Sequence, residues 1–260
     1  MLEISEKIKS DSMVLFVGAG VSASIGVPTF RQLIEHIAGE LGYNPQIFFS
    51  YGDYHSLAQY YINEHGGIGK LRSWMDREWH VKLNDVDTSS LYDAIVRLGI
   101  KTVYTTNYDN FLERAHDSKA IKYSKVVKLD DMPRSHGEEI QIIKYHGDFS
   151  DDSSIVLNES TYYERMDWES PLDIKLHSDL LSKSVLFIGY SLRDMNMRYL
   201  LYKIHKMRVR HSAKKHRSYV YFGSPNPIQS SVLGEWGVEV INGRDVDQSA
   251  SLEKFLRSLI

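Results

Sequence analysis

A doubly wound α/β domain, built on a parallel sheet of about six strands with a helical subdomain inserted, is the fold class this sequence predicts. Three observations carry the prediction. Short β-branched or aromatic runs recur along the chain, nearly continuous in apolar character, as in strands buried on both faces. Each run is followed by a loop and then a helical pattern, the alternation of a parallel sheet covered by helices. Finally, 260 residues with 42% hydrophobic and 25% charged content can bury one core of that size.

In chain order, strands are expected at 13–17, 102–105, 140–144, 184–188, 219–222 and 238–241. About eighty residues separate the first two, too many for one crossover helix. Helical periodicity over 29–41, 54–64, 71–79 and 89–98 fills the gap and reads as a helical insertion across roughly 31–99. A shorter helical insertion is expected across roughly 158–183. Neither differs in composition from the rest, so residues 1–260 read as one domain.

The charge balance, 31 Lys and Arg against 34 Asp and Glu, gives no overall field for nucleic acid or an anionic membrane. The segment from Lys203 to Arg217 is basic and contains His205, His211 and His216, but lacks stacking aromatics; it reads as a solvated helix end and loop, with no direct nucleic-acid binding expected. The chain has no cysteine, which excludes disulfides, cysteine nucleophiles and thiolate zinc sites. The histidine spacings (55/65 and 211/216) match no standard metal pattern, so no metal is expected. No apolar run has the length of a signal peptide or a membrane span, and a cytoplasmic protein is expected. The tyrosine-rich helical layer, with Tyr54, Tyr60, Tyr61 and Trp74, suits either an oligomer interface or core packing.

The first strand runs into Gly18-Ala19-Gly20-Val21-Ser22 and then Gly26-Val27-Pro28-Thr29-Phe30-Arg31. Glycines just past a strand let backbone approach a pyrophosphate, although the spacing is not that of the dehydrogenase fingerprint. The bland reading of the Gly18–Gly20 pair is a tight strand-to-helix turn. Three more motifs follow, each at the C-terminal end of an expected strand: Thr105-Thr106-Asn107-Tyr108-Asp109, Lys144-Tyr145-His146-Gly147 and Gly189-Tyr190-Ser191-Leu192-Arg193-Asp194. That rim is where open α/β sheets bind ligands.

Taken in this order, the four motifs resemble those of the sirtuin family, in the divergent bacterial branch associated with antiphage defence. The resemblance covers nearly the whole chain and implies a Rossmann-like sheet. Thr29 stands where deacetylase sirtuins usually carry Asp, and Thr106 replaces Gln. The stretch between His146 and Gly189 has no cysteine, so the sirtuin zinc ribbon is absent.

What the resemblance implies is an NAD glycohydrolase, releasing nicotinamide and ADP-ribose and acting in antiphage defence by NAD depletion. The alternatives are an NAD-dependent protein deacylase or ADP-ribosyltransferase, or a non-catalytic sensor of NAD or ADP-ribose. NAD is then substrate. His146 is the implied base, Asn107 the amide that holds water or ribose on a solvent-facing rim, and Asp109 the residue that orients the loop and the nicotinamide region. Implied contacts to NAD are Gly18, Ala19, Gly20, Ser22, Pro28, Phe30, Arg31, Thr106, Gly189, Tyr190, Ser191 and Asp194. Asn226, in the turn after the 219–222 strand, is expected near the adenosine ribose. Bland readings stand beside these: Asn107 and Asp109 as a helix N-cap pair, Ser22, Ser191 and Asp194 as caps, Arg31 as a surface residue, Asn226 as part of a proline-stiffened turn. A homo-oligomer and a defence partner, an ATPase or helicase, a nuclease or an Argonaute-like protein, are implied by the family.

Overall fold

Five consecutive side chains in β1 (Met13–Val17) are at most 1% exposed, which requires helices over both faces of the strand. The structure, a computed structural model, describes residues 1–260 apart from 135–138, 167–169, 193, 211–216 and 244. Alternate residues of β1 point to opposite sides. Met13, Leu15 and Val17 join the core formed with the helices between 30 and 117 and with the C-terminal helix Gln248–Arg257. Val14 and Phe16 join the core formed with helices Pro171–Ser182, Met195–Arg210 and Pro227–Glu235. The sheet is thus wound on both sides.

The remaining strands are β2 (Thr102–Thr105), β3 (Tyr123–Val126), β4 (Ile140–Lys144), β5 (Ser184–Ile188), β6 (Ser218–Phe222) and β7 (Val238–Asn242). All pair in parallel, in the order β3-β4-β2-β1-β5-β6-β7. The strand order reverses at β1 and β5, the switch point beyond which such sheets bind ligands. The sheet has one strand more than the sequence suggested. β3 is a short edge strand reading Tyr-Ser-Lys-Val, with only Val126 buried, so it carries no apolar run to recognise.

Between β1 and β2 the principal helices are Phe30–Glu40, Tyr54–His65, Gly69–His80 and Ser90–Arg97, within a residue or two of the expected spans. The first begins at Thr29, whose side chain and Gln32 form a reciprocal capping box. Between β4 and β5 lie helices Glu159–Met166 and Pro171–Ser182. Tyr61 of the tyrosine-rich layer is fully buried, Tyr54 packs on the core, and Trp74 stacks on His36 at 4.1 Å between ring centres. Tyr60 is exposed and meets Tyr43. Among the described residues no helix is long and apolar enough to cross a membrane. His211 and His216, with most of the loop that ends the basic segment, lie outside the described residues.

Register aligns the motif-bearing strand ends. Val17 pairs with Thr105 and with Ile188, and Thr105 pairs with Lys144. Gly18, Thr106, Tyr145 and Gly189 therefore each begin one residue past a common row.

Two of these turns depend on glycine. Gly18 and Gly189 pack backbone to backbone: a Cβ on Gly18 would sit 2.5 Å from the Gly189 carbonyl, and Gly189 itself has φ +60°. Gly147, with φ +96°, lies where a Cβ would be 2.2 Å from the Ser154 carbonyl. A side chain there meets both a disfavoured backbone conformation and a clash with main chain. Gly147→Ala is therefore expected to destabilise the fold by about 2–4 kcal/mol in urea denaturation. A change under about 0.5 kcal/mol would mean this turn is not as described.

Candidate active site

Thr105, the last residue of β2, turns its hydroxyl back to the carbonyl of Val17 at 2.9 Å and accepts from the Asn107 amide N–H at 3.0 Å. That pair of bonds starts the loop Thr106-Asn107-Tyr108-Asp109 in a fixed direction. The Asn107 side chain is 8% exposed, so it lies beneath the rim rather than facing solvent as the sequence suggested. Its Nδ2 donates to the Gly18 carbonyl at 3.3 Å and to Ser22 Oγ at 2.9 Å. A carbonyl can only accept, which assigns the amide's orientation: the NH2 faces Gly18, and Oδ1 is left with no hydrogen-bond partner among the described residues.

Ser22 is the meeting point. It accepts from Asn107, donates to Asp109 Oδ2 at 2.8 Å and lies 3.3 Å from the hydroxyl of buried Tyr92. Its role here is neither helix cap nor isolated hydroxyl; it joins the first glycine loop to the second motif. Asp109 is 4% exposed, and its other oxygen accepts from the Phe111 amide at 3.2 Å. Of the two expected caps, only Asp109 bonds the start of the following helix, Phe111–Asp117. Burial raises the Asp109 pKa above its usual range, against the opposing pull of Lys144 and the Ser22 bond.

A charged cluster lies beneath this loop. Lys144, fully buried, donates from Nζ to the main-chain carbonyl of Asp109 and stands 3.5 Å from Glu113 and 3.4 Å from Asp148. Lys125 on β3 bonds the other oxygen of Asp148 at 3.0 Å. Burial by itself would lower the Lys144 pKa, but Glu113, Asp109 and Asp148 outweigh it and raise it. Burial raises the Glu113 carboxyl, with Lys144 opposing. For Asp148, burial also pushes upward, yet Lys144 and bonds from Ser150 prevail and hold it low. Removing one member of such a buried set leaves an uncompensated charge, at a cost of about 3–5 kcal/mol.

On the neighbouring strand end, His146 is half-buried among rings. Tyr145 stacks on it at 5.5 Å, and Tyr162 meets it edge-on at 6.4 Å between centres. His55 in turn stacks on Tyr162 at 4.0 Å and on its other side approaches Phe30 at 5.3 Å. Burial pushes the His146 pKa down to about 4; Asp194 pulls it upward, while Arg165 and His55 add to the depression. The imidazole is therefore neutral at pH 7. Arg165 donates to the Tyr145 carbonyl at 2.5 Å, and Tyr145 donates to fully buried Asp173 at 2.6 Å, which locks the strand end that carries His146.

Asp194 links the fourth motif to the same region. It accepts from Tyr162 and, at 2.9 Å, from Tyr190, and it caps the helix Met195–Arg210 through the Met197 amide. Arg193 of that motif lies outside the described residues. Ser191, Ala19 and Gly20 are exposed, while Pro28 and Thr106 are half-buried. Two further expected contacts have local partners. Arg31 is exposed, bonds Glu35 at 3.0 Å and lies over the Phe49 ring. Asn226 caps the helix Pro227–Glu235 through the Gln229 amide at 3.0 Å.

Sequence reasoning did not single out Tyr92, Glu113, Asp148, Tyr162, His55 or Arg165. Tyr92 and Tyr162 are indistinguishable from core aromatics in a sequence. Lys144 offered a signal: a charge closing a strand that is otherwise apolar and buried on both faces. Among the described residues no group of three or more His, Asp or Glu is placed to hold a metal ion.

The profile of the SIR2-like domain family matches residues 101–241, which include three of the four motifs. The chain is similar to the NAD(+) hydrolase ThsA of Bacillus cereus (strain MSX-D12), 31% identical over 205 residues, covering 78% of this chain and 42% of the relative. It is 33% identical to the NAD(+) hydrolase ThsA of Enterococcus faecium over 202 residues, covering 76% of this chain and 41% of that protein. With defense-associated sirtuin 2 of Bacillus subtilis it shares 28% identity over 239 residues, 89% of this chain and 23% of that one. The chain thus spans less than half the length of these relatives. With the family profile matching more than half of its length, and the motif loops joined at one sheet rim, the chain belongs to the SIR2-like family.

Proposed function

We propose that this chain is an NAD glycohydrolase, cleaving the nicotinamide–ribose bond to give nicotinamide and ADP-ribose. One observation carries the reading: a buried amide oxygen, Asn107 Oδ1, has no hydrogen-bond partner among the described residues, beneath the sheet rim and two residues past the register row that also leads to His146. Leaving such a group unbonded costs about 1–3 kcal/mol, which a ribose hydroxyl or a held water recovers. The names of the relatives, NAD(+) hydrolase ThsA, favour the same substrate.

In this reaction the C–N bond to nicotinamide breaks and its electron pair neutralises the pyridinium nitrogen, so the leaving group needs no acid. Positive charge builds on the ribose ring. An uncharged amide holds ribose or water there without trapping the cation as a carboxylate would. Water supplies the new C–O bond and gives up its proton. A neutral His146 is in the form that accepts it. Asp109 positions Ser22 and through it Asn107.

The turns at Gly18, Ala19, Gly20 and Ser22, with Gly189, Tyr190, Ser191 and Asp194, would hold the pyrophosphate and ribose; Pro28, Phe30 and Thr106 would border the nicotinamide end. Arg31, in the first turn of the helix Phe30–Glu40, and Asn226, which caps the helix Pro227–Glu235, complete the proposed set of contacts. NAD depletion in the cytoplasm as an antiphage response, an assembly of copies and a defence partner (an ATPase or helicase, a nuclease or an Argonaute-like protein) complete the reading. The relatives' names support the defence role, and the exposed tyrosines at 43, 51 and 60 suit contact between copies.

Incubating the protein with NAD and no peptide should release nicotinamide. Asn107→Ala and His146→Ala should each reduce the rate by at least about 100-fold, with circular dichroism unchanged. A His146→Ala protein with wild-type turnover would overturn the assignment, and release only after adding an acyl-lysine peptide would point to a transferase. The pH dependence follows from the depressed His146 pKa. The rate should stay flat from pH 8 to roughly 5.5 and fall as the pH approaches 4. The same depression weakens the fold from pH 6.5 toward 4, because there the unfolded chain binds a proton that native His146 does not. A rate inflection near 6.5 would mean an imidazole open to water.

A further inference from the structure

The buried ionic cluster under the Asn107 loop takes no part in the chemistry above, yet its geometry leads to the reacting groups. A lysine closing a strand covered on both faces is expensive to keep, since apolar residues of similar shape pack there at no electrostatic cost. Stability alone therefore gives no reason for it. Lys144 Nζ bonds main chain, the carbonyl of Asp109, two residues after Asn107. The carboxylate of that same Asp109 accepts from Ser22 Oγ, which accepts from Asn107 Nδ2. From Lys144 to the amide there are three consecutive bonded contacts.

On its other sides the ammonium is held by Glu113 and Asp148, the first from the helix that follows the loop and the second from just past β4. Glu113 faces Lys144 at 3.5 Å and holds the ammonium from the helix side. Tyr92 covers Ser22 from the helical layer at 3.3 Å. At the other end of these contacts, the amide oxygen of Asn107 has no hydrogen-bond partner among the described residues.

We infer that Lys144, clamped by Glu113 and Asp148, is a positioning residue that fixes the direction in which the Asn107 amide oxygen points. Its kinetic consequence rests on the NAD-cleavage reading; its structural consequence does not. The pair Lys144→Met with Glu113→Gln removes one charge of each sign and keeps both side-chain shapes, so the cluster stays balanced.

Two measurements on this double variant test the role. The first is the side-chain NH2 resonance of Asn107, assigned by its absence in Asn107→Ala; it should shift from its wild-type position. The second is steady-state NAD cleavage, where kcat should fall at least about tenfold while KM stays within about threefold, as for a group misplaced rather than a pocket lost. A folded double variant with the Asn107 resonance and kcat both unchanged overturns the inference, and so does a loss confined to KM. If wild-type protein cleaves no NAD, the functional reading fails and the resonance alone decides the positioning role. Should the double variant not fold, Glu113→Gln alone carries the same readouts, with a smaller shift expected and an unmoved resonance contradicting the role.

Discussion

The Ser22 hydroxyl has one proton to give and two lone pairs to offer, and it is shared between two loops that leave different strands. Donation to Asp109 and acceptance from Asn107 leave little freedom in how the β1 and β2 ends approach one another. Everything above the sheet at this point inherits that restriction. The Gly18 carbonyl receives the second Asn107 proton, so the glycine loop is part of the same joint, and its contact with Gly189 extends the joint to β5. One shared hydroxyl thus ties together three strand ends at the place where the strand order reverses.

Charge is treated differently on the two sides of this joint. Under β2 and β4, Lys144 and Lys125 are set among Asp109, Glu113 and Asp148, a buried set that holds the loop main chain rigid. Beside His146 the surroundings are aromatic, and the imidazole is driven neutral by burial while Asp194 is occupied by two tyrosine hydroxyls and a helix start. The oxocarbenium-like centre of the proposed NAD cleavage would be served by such a setting: the neutral amide of Asn107 and the neutral imidazole of His146 would face it, with the Lys144 cluster orienting the loop from beneath.

Much of the fold was legible because strands covered on both faces are dominated by apolar and β-branched residues, as β1, β2, β4 and β5 are. β3 was not, since an edge strand with three half-buried residues leaves no such trace. For the site, the order of the motifs was enough to place Asn107, Asp109 and His146 just past strand ends, where the structure has them. Their bonding was hidden. Nothing in the spacing of Ser22, Asn107 and Asp109 reveals that the first bridges the other two, nor that Asn107 is buried rather than at the open rim. Glu113 reads as an ordinary helix carboxylate, and only the third dimension brings it to Lys144. Arg31 and Asn226, which motif order assigned to a ligand, also have local partners that the sequence did not reveal: Glu35 with Phe49, and the Gln229 amide.

The central claim, that Asn107 Oδ1 is the acceptor reserved for the substrate, is tested most directly by a crystal structure of the protein with ADP-ribose bound. Asn107 Oδ1 should lie within about 2.6–3.2 Å of a hydroxyl on the ribose that had carried nicotinamide, or of a water bonded to it, with Ser22 still between Asn107 and Asp109. ADP-ribose bound away from the β1–β5 switch point, or an Asn107 oxygen turned onto a protein donor, would contradict it.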